Sequence, residues 1–566
     1  RARRARLRSD FARYFKRIVF PFFFSDQKAK AWGYSITLIV LLLAVSGTNI
    51  ALSYLNRDFM SALSAKQGDR FWKLLLPYAL AFTSATLVSV FYRFIEERLG
   101  LVWRKWLTHY SLKHYFMRRN YYHLRSFKDV DNPDQRIADD IKNFSGTTLS
   151  LVLILINSLM TVISFMAVLA SISWTLVVVL FAYSTVGTIL SYFIGRRLIK
   201  LHNRQYRFEA NFRYGLIRIR DNAESVAFFR GEAREKIDLL RRFETVVRNT
   251  LSLINWNRNL AFLNTGYNYL ALIIPTMIVA PLYFRGDVDF GVITQAQGAF
   301  AQVLAAMSVM MTQFERLSAY VAGVSRVGVL WNHLVPDPAA AEENDDPEIE
   351  IKEGDKLRVE QLLVQPPKSN RILVNNLSFS LKPGKGLLIM GESGAGKSSI
   401  LRTIAGLWKT GTGIIQRPKL AEMTFLPQRP YMPPGSLRAQ LVYPKRADND
   451  TVSEDELREA LASVNLSDIL KRVNNDFNAK LDWSNVLSLG EQQRLSFARL
   501  ILAKPSLAFL DEATSALDED NERQLYEALS KLNISYVSVG HRSTLRQFHE
   551  RILLLQPEGQ WAIEKS

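Results

Sequence analysis

The sequence predicts a multi-domain membrane protein in which an all-α domain of six membrane-spanning helices precedes an α/β domain. Three observations support this prediction. Six apolar segments of about 20 residues, the length that crosses a bilayer, lie before residue 335. Residues 336–356 are acidic and contain prolines, which is typical of a linker. After residue 356, short apolar strands alternate with helical stretches, a pattern that indicates a mostly parallel sheet covered by helices.

The first 30 residues are basic and aromatic. They show neither the apolar core nor the small-residue cleavage site of a signal peptide. We expect residues 1–30 to form an interfacial helix on the inner leaflet of the membrane, and a disordered basic tail is the alternative.

The six predicted spans contain few charged residues, unlike buried helices of a soluble protein. They are Ala31–Leu55, Phe71–Ile95, Gly146–Ala170, Trp174–Gly195, Asn259–Tyr283 and Phe290–Met311. The loops 96–144 and 196–258 are long and rich in Lys and Arg, so the positive-inside rule places them in the cytoplasm. Residues 31–335 are therefore predicted to form one transmembrane domain with long cytoplasmic loops.

The chain is strongly basic, with 72 Lys and Arg against 53 Asp and Glu and a formal net charge of +19. Such a charge fits either a nucleic-acid-binding protein or a membrane protein with basic cytoplasmic loops. The apolar spans favour the second, so we expect a lipid bilayer and no nucleic acid as a partner. The sequence has no cysteine, which excludes disulfides, thiolate catalysis and zinc–thiolate sites.

A phosphate-binding loop lies between the apolar strand GLLIM and a helical stretch, where its motif G-x-x-x-x-G-K-[ST] requires it. Backbone N–H groups of such a loop wrap phosphate oxygens at a helix N-terminus. Lys397 can reach the β- and γ-phosphates, and the Ser398 hydroxyl can ligate Mg²⁺. The predicted nucleotide-binding residues here are Gly391, Glu392, Ser393, Gly394, Ala395, Gly396, Lys397, Ser398 and Ser399.

Two carboxylates end a second apolar strand, in SLAFLDE. Asp511 is predicted to hold Mg²⁺, and Glu512 is predicted to polarise the attacking water as a general base. A helix-capping pair is the alternative, but the phosphate loop favours hydrolysis.

The segment LSLGEQQR resembles the LSGGQ signature of ABC ATPases, with Leu489 and Glu491 where glycine and glutamine are usual. The resemblance implies that Ser488, Gly490 and Glu491 contact nucleotide. It also implies that SALD is the D-loop. His541 resembles the switch histidine, and Gln428 resembles the Q-loop glutamine that touches Mg²⁺.

The resemblance assigns residues 357–566 to an ABC nucleotide-binding domain that hydrolyses ATP with Mg²⁺. In that family each ATP lies between the phosphate loop of one domain and the signature of another. One such domain and six spans make half of the usual set, so a homodimer is the simplest assembly and a heterodimer with a related half is the alternative.

The stretches NPDQRI, AESVAFFRGE and FLPQRPYMPPGSLRAQLVYP look like the group that holds bacterial BacA/SbmA-like proteins and eukaryotic ABC subfamily D. This resemblance implies an exporter-type fold. It implies uptake of a hydrophilic or amphipathic solute, such as cobalamin or a peptide, across a bacterial inner (cytoplasmic) membrane. The alternatives are a fatty-acyl-CoA or lipid transporter, and a membrane-tethered ATP-dependent regulator without transport.

Overall fold

The computed structural model describes residues 2–124, 127, 130, 132–335, 348–367, 369, 371–445, 452–556 and 559–565. The chain divides into two compact units, Arg1–Pro338 and Ala339–Ser566. Residues 336–347 of the predicted linker lie outside the described part. Residues 350–353, also predicted as linker, form a strand instead.

The described residues of the first unit contain helices and connecting turns. The helices are α1 (Ala2–Phe23), α2 (Lys28–Ser64), α3 (Gly68–Phe116), α4 (Asn120–His123), α5 (Pro133–Gln135), α6 (Ile141–Ile172), α7 (Trp174–Asp221), α8 (Ala223–Phe228), α9 (Glu232–Phe284), α10 (Phe290–Thr312) and α11 (Phe314–Leu334). A 3₁₀ turn at Met117–Arg119 follows α3, and a π-helix at Arg136–Asp140 leads into α6.

Each predicted span lies inside one of these helices. By length and composition, five helices of the described chain can cross a membrane, namely those that carry the first, second, third, fifth and sixth predicted spans. The fourth predicted span lies in α7, whose described apolar segment, Trp174–Leu190, is shorter. The spans share apolar side chains that point away from the protein, such as Val40, Val90 and Ile163, as expected for helices in lipid.

Helix α1 forms as predicted, but its apolar side packs on protein. Ile18 and Phe22 are fully buried, and the Phe22 ring stacks on Trp103 of α3 at 5.6 Å. The Arg17 guanidinium donates to the Asn332 side chain at 2.7 Å and to the Val335 carbonyl at 2.8 Å. Helices α3 and α11 therefore cover the side of α1 that carries Ile18 and Phe22, and the position of this segment at the inner leaflet stays a prediction.

The predicted first cytoplasmic loop contacts α11 through an ion pair and a hydrogen bond. Arg326 makes a bidentate ion pair with Asp140, with N–O distances of 2.8 and 2.7 Å, and the Arg136 guanidinium donates to the Arg326 carbonyl at 2.9 Å. Asp140 and Arg136 are buried. The NPDQRI segment and the last helix of the unit therefore form one packed block.

The second unit is α/β. Its strands are β1 (Glu350–Glu353), β2 (Arg358–Val364), β3 (Val374–Ser380), β4 (Gly386–Gly391), β5 (Gly411–Arg417), β6 (Met423–Leu426), β7 (Leu507–Asp511), β8 (Ser535–Val539), β9 (Arg551–Leu555) and β10 (Trp561–Lys565). Its helices are α12 (Lys397–Ile404), α13 (Leu437–Val442), α14 (Glu454–Ser463), α15 (Asp468–Arg472), α16 (Trp483–Val486), α17 (Leu489–Ala503) and α18 (Glu519–Lys531).

Two sheets organise this unit, a four-stranded one in the order β1-β5-β2-β3 and a six-stranded one in the order β10-β9-β4-β8-β7-β6. Strands β6, β7, β8, β4 and β9 run parallel, so their carboxyl ends meet at one edge. In parallel α/β sheets this edge is where ligands bind.

Candidate functional site

The phosphate loop leaves the carboxyl end of β4 and ends at the first residue of α12, Lys397. Gly394 and Gly396 have φ of +86° and +98°, a left-handed backbone that favours glycine. A Cβ on Gly394 would meet no atom within 4 Å, so the loop is open to a ligand at this point. The first N–H groups of a helix lack partners within the helix, so the loop before α12 is suited to binding an anion.

Lys397 is buried, and its ammonium donates to the Gly391 carbonyl at 2.8 Å and the Glu392 carbonyl at 2.9 Å. Burial lowers the pKa of Lys397, and the nearby carboxylates of Glu512 and Asp511 oppose this shift. The positively charged Lys397 side chain is therefore held inside the loop, where it can bind the phosphates of a nucleotide.

Asp511 ends β7, two strands from β4, and its Oδ1 accepts a hydrogen bond of 2.9 Å from the Ser398 hydroxyl. Burial raises the pKa of Asp511, while the Ser398 hydrogen bond and the charges of Arg402 and Lys397 lower it. Two of the three predicted Mg²⁺ ligands, Ser398 and Asp511, are thus brought together.

Glu512 lies at the centre of the predicted catalytic group. Its Oε2 accepts from the Gln428 amide at 2.7 Å, and its Oε1 lies 3.2 Å from His541 Nε2. Gln428 follows β6 and His541 follows β8, so three parallel strands bring these side chains to the same edge. Glu512 has a φ of +51°, and its N–H donates to the Val539 carbonyl, which holds this strained turn in place.

The signature segment begins α17. Ser488 is the N-cap, and it forms a capping box with Glu491: the Glu491 N–H donates to the Ser488 hydroxyl at 3.3 Å, and Glu491 Oε2 accepts from the Ser488 N–H at 2.9 Å. A Cβ on Gly490 would lie 3.1 Å from the Ala516 carbonyl, so glycine is needed for close approach to the D-loop.

Sequence reasoning missed Gln493, which joins the Q-loop to the D-loop. Its side chain is fully buried, donates to the Gln428 carbonyl at 2.9 Å and the Ser515 hydroxyl at 3.2 Å, and accepts from the Ala516 N–H at 3.0 Å. The only signal in the sequence is that Gln493 is the second of two amides that follow LSLGE.

A second missed network supports the D-loop from the other side. The buried carboxylate of Glu522 accepts hydrogen bonds from Thr514 at 2.6 Å and Thr544 at 2.9 Å, and Arg542, next to His541, donates to the Leu517 carbonyl at 2.8 Å. The residues around Glu512 are therefore fixed by contacts between loops that are distant in sequence.

Comparison with known proteins follows the same division of the chain. The ABC transporter transmembrane region 2 family matches residues 18–284, and the ABC transporter family matches residues 374–515. An uncharacterized ABC transporter ATP-binding protein of Synechocystis sp. is 44% identical over 549 residues, which is 95% of this chain and 82% of that protein. This chain belongs to the ABC transporter family.

Other relatives of this ABC transporter belong to subfamily D. The chloroplastic D family member 2 of Arabidopsis thaliana is 38% identical over 97% of this chain and 88% of its own length. The human lysosomal cobalamin transporter ABCD4 is 30% identical over 97% of this chain and 94% of its own length. A bacterial Atm1-family ABC exporter solved with ATP bound has the same fold, with a TM-score of 0.71, 17% identity and coverage of 94% of this chain and 95% of that one.

These matches confirm the predicted family and fold class. The protein is a multi-pass membrane transporter of subfamily D type with an exporter fold, and its α/β unit is an ATP-binding ATPase.

Proposed function

We propose that two copies of this ABC transporter form a homodimer that takes up an uncharged polar solute across a bacterial inner membrane, driven by ATP. The distribution of contacts in the ATPase unit supports the dimer. Asp511, Glu512, Gln428 and His541 gather at the sheet edge that carries the phosphate loop, whereas the described hydrogen bonds of Ser488 stay within its own helix start. A signature from a second copy would complete the nucleotide site.

In this proposal the residues of the ATPase unit bind the phosphates and orient the attacking water. Lys397 and the loop N–H groups bind the phosphates, and Glu512 orients the water and accepts its proton, with His541 and Gln428 holding the carboxylate. Within the described chain, no group of three or more His, Asp or Glu could hold a metal alone. Mg²⁺ would therefore be shared between phosphate oxygens, Ser398 and Asp511, with Gln428 nearby, and would neutralise charge on the phosphates.

Amide side chains halfway along the spans support a polar solute. Asn264 and Asn268 on α9 are exposed, whereas Ala271 and Pro275, two helical turns further on the same face, are buried. Because Asn264 and Asn268 continue the line of these buried residues along α9, we place the two amides on the side of the helix that turns toward the protein interior. Because polar groups are costly in lipid, such amides are expected to line a wet cavity.

Gln302 of helix α10 adds a third amide at a similar depth, which follows from how α10 pairs with α9. The Gln297 amide donates to Thr276 Oγ1 at 2.7 Å and to the Leu272 carbonyl at 3.2 Å, which fixes the register of antiparallel α9 and α10. Gln302 lies five residues, about 7.5 Å, further toward the cytoplasm, and Asn268 lies four residues, about 6 Å, from Leu272. By these distances Gln302 lies near the level of Asn268, and its side chain is exposed in the protomer.

The charge of the spans favours a neutral solute. Five of the six predicted spans contain no Asp, Glu, Lys or Arg, and the other carries only Lys73 and Arg93 near its ends. Within the six predicted spans, only Lys73 and Arg93 could therefore offer a cation to the phosphates of an acyl-CoA. An amide- or hydroxyl-bearing solute such as cobalamin or a peptide fits better, and a relative named as a cobalamin transporter agrees with this.

Flux into proteoliposomes tests the proposal. With ATP on the side of the ATPase units, wild-type protein should move labelled cobalamin or a neutral peptide, and Glu512→Gln should bind ATP without turnover or flux. ATPase stimulation by acyl-CoA alone would instead support the lipid transporter. ATP turnover without movement of any of these solutes would support the regulator.

Cross-linking tests the assembly separately. The Glu512→Gln protein, which should trap bound ATP, is expected to form disulfide-linked dimers when single cysteines replace Ser393 and Leu489, because the native chain has none. A protein that stays monomeric at saturating ATP would contradict the homodimer.

A further inference from the structure

The signature of this ABC transporter carries a carboxylate at Glu491. If the terminal phosphate of a nucleotide docks there, two negative charges meet in a closed space, where like charges repel strongly. The structure shows how this chain could tolerate that arrangement.

Glu491 is held by three hydrogen bonds. Its Oε2 accepts from the Ser488 N–H at 2.9 Å and the Ser488 hydroxyl at 3.1 Å, and its Oε1 pairs with the Arg472 guanidinium at 2.6 Å. The Glu491 side chain is only 13% exposed, while Arg472 is half exposed at the end of α15. Burial acts to raise the pKa of Glu491, but the bonds to Arg472 and Ser488 outweigh it and lower the pKa, so the carboxylate stays ionised at neutral pH.

We propose that Arg472 is a positioning residue of the nucleotide clamp, which neutralises Glu491 so that the signature accepts the terminal phosphate of a nucleotide bound to the second copy. This inference rests on the homodimer proposed above. As the phosphate docks, the Ser488 hydroxyl turns from Glu491 to donate to a phosphate oxygen. Arg472 then keeps Glu491 in the capping box, because the pair makes a strong charge-assisted hydrogen bond that the turning hydroxyl leaves untouched.

The Arg472–Glu491 pair forms only when the chain is folded. Arg472 and Glu491 are 19 residues apart and lie on different helices, so their contact depends on the packing of α15 against the start of α17. Arg458 provides a control, because it makes an exposed ion pair with Glu454 within α14 and also lies over the Phe477 ring, but forms no described ion pair with Glu491.

The test measures the ATP concentration that gives half-maximal hydrolysis by the full chain in nanodiscs. Arg472→Gln should raise this ATP concentration about tenfold, which is equivalent to about 1.4 kcal/mol of repulsion. Added salt should reduce the difference between the variant and wild type, because salt screens charge. Glu491→Gln alone is the reference for the double variant, because it removes the carboxylate that Arg472 neutralises: Arg472→Gln/Glu491→Gln should need an ATP concentration within about threefold of that of Glu491→Gln. Arg458→Gln should have no effect.

Two results would overturn the inference. The first is an Arg472→Gln variant with the same ATP dependence as wild type. The second is a defect that persists in the double variant and does not change with salt, because such a defect would mean that Arg472 only supports the fold. Failure of the dimer is distinguishable, because Ser488→Ala and the Ser393/Leu489 cross-link test the clamp without Arg472. If those behave as expected and the Arg472 variants do not, only the role of Arg472 is wrong.

Discussion

Replacing Gln493 by leucine should disconnect the Q-loop from the D-loop while preserving the volume of the buried side chain. The change removes three hydrogen bonds, to the Gln428 carbonyl, the Ser515 hydroxyl and the Ala516 N–H. A hydrogen bond contributes about 1 kcal/mol net, and a polar group left buried costs about 1–3 kcal/mol. Because residues 428, 515 and 516 are exposed, water can replace part of the loss, so we expect a total of about 2 kcal/mol.

Most of this loss should appear in catalysis, because both loops border Glu512. About 2 kcal/mol corresponds to a roughly 30-fold lower kcat, measured as ATP hydrolysis by the full chain in nanodiscs at saturating ATP. Gln524→Leu is the control, since its amide makes one hydrogen bond, to the Ser463 carbonyl, at an exposed position. A Gln493→Leu protein that elutes like wild type and keeps more than a third of the wild-type kcat would refute this reasoning.

Two further predictions concern stability and coupling. Asp140→Asn should weaken the grip on Arg326 by about 1–2 kcal/mol, less than for a fully buried pair since Arg326 is half exposed; solute-stimulated hydrolysis should fall more than basal hydrolysis, and equal losses of both would contradict a coupling role. Burial lowers the pKa of His549 from 6.5 to about 4, so only the unfolded chain binds its proton between these values. Stability should therefore fall as the pH drops from 6.5 to 4, by at most about 3 kcal/mol, and thermal melts of His549→Gln should lose this slope; an unchanged slope would show that other groups cause it.

The local parts of the ATP site could be predicted from the sequence because each depends on a short run of residues. The spacing of Gly391 and Lys397 fixes a strand–loop–helix turn, and the apolar run before Asp511 fixes the strand end that presents it. Parallel pairing then brings the carboxyl ends of separate strands to one edge of the sheet.

The missed contacts join segments that are distant along the chain. Gln493 reaches a carbonyl 65 residues away, and the Arg472–Glu491 pair joins two helices. No periodicity or spacing indicates such a partner, because either side chain alone is an ordinary polar residue on a helix. The same limit explains why the sequence did not indicate that Ile18 is buried within the protein.

Strand β1 was missed for a different reason. Its sequence, Glu350–Glu353, is charged and mostly exposed, and it forms the edge of the four-stranded sheet beside β5. Charged residues are common on edge strands, where they discourage pairing with other chains, and there they hide the apolar alternation by which strands are recognised.

The docking of α1 on α11 also affects the order of events during synthesis. Arg17 emerges from the ribosome 315 residues before Asn332, its hydrogen-bond partner. At about 5–20 residues per second, roughly 16–63 s pass before that partner exists. During this interval the apolar side of α1 lacks the α11 surface that packs on it later, and an amphipathic helix in that situation would bind the bilayer surface until α11 is synthesised.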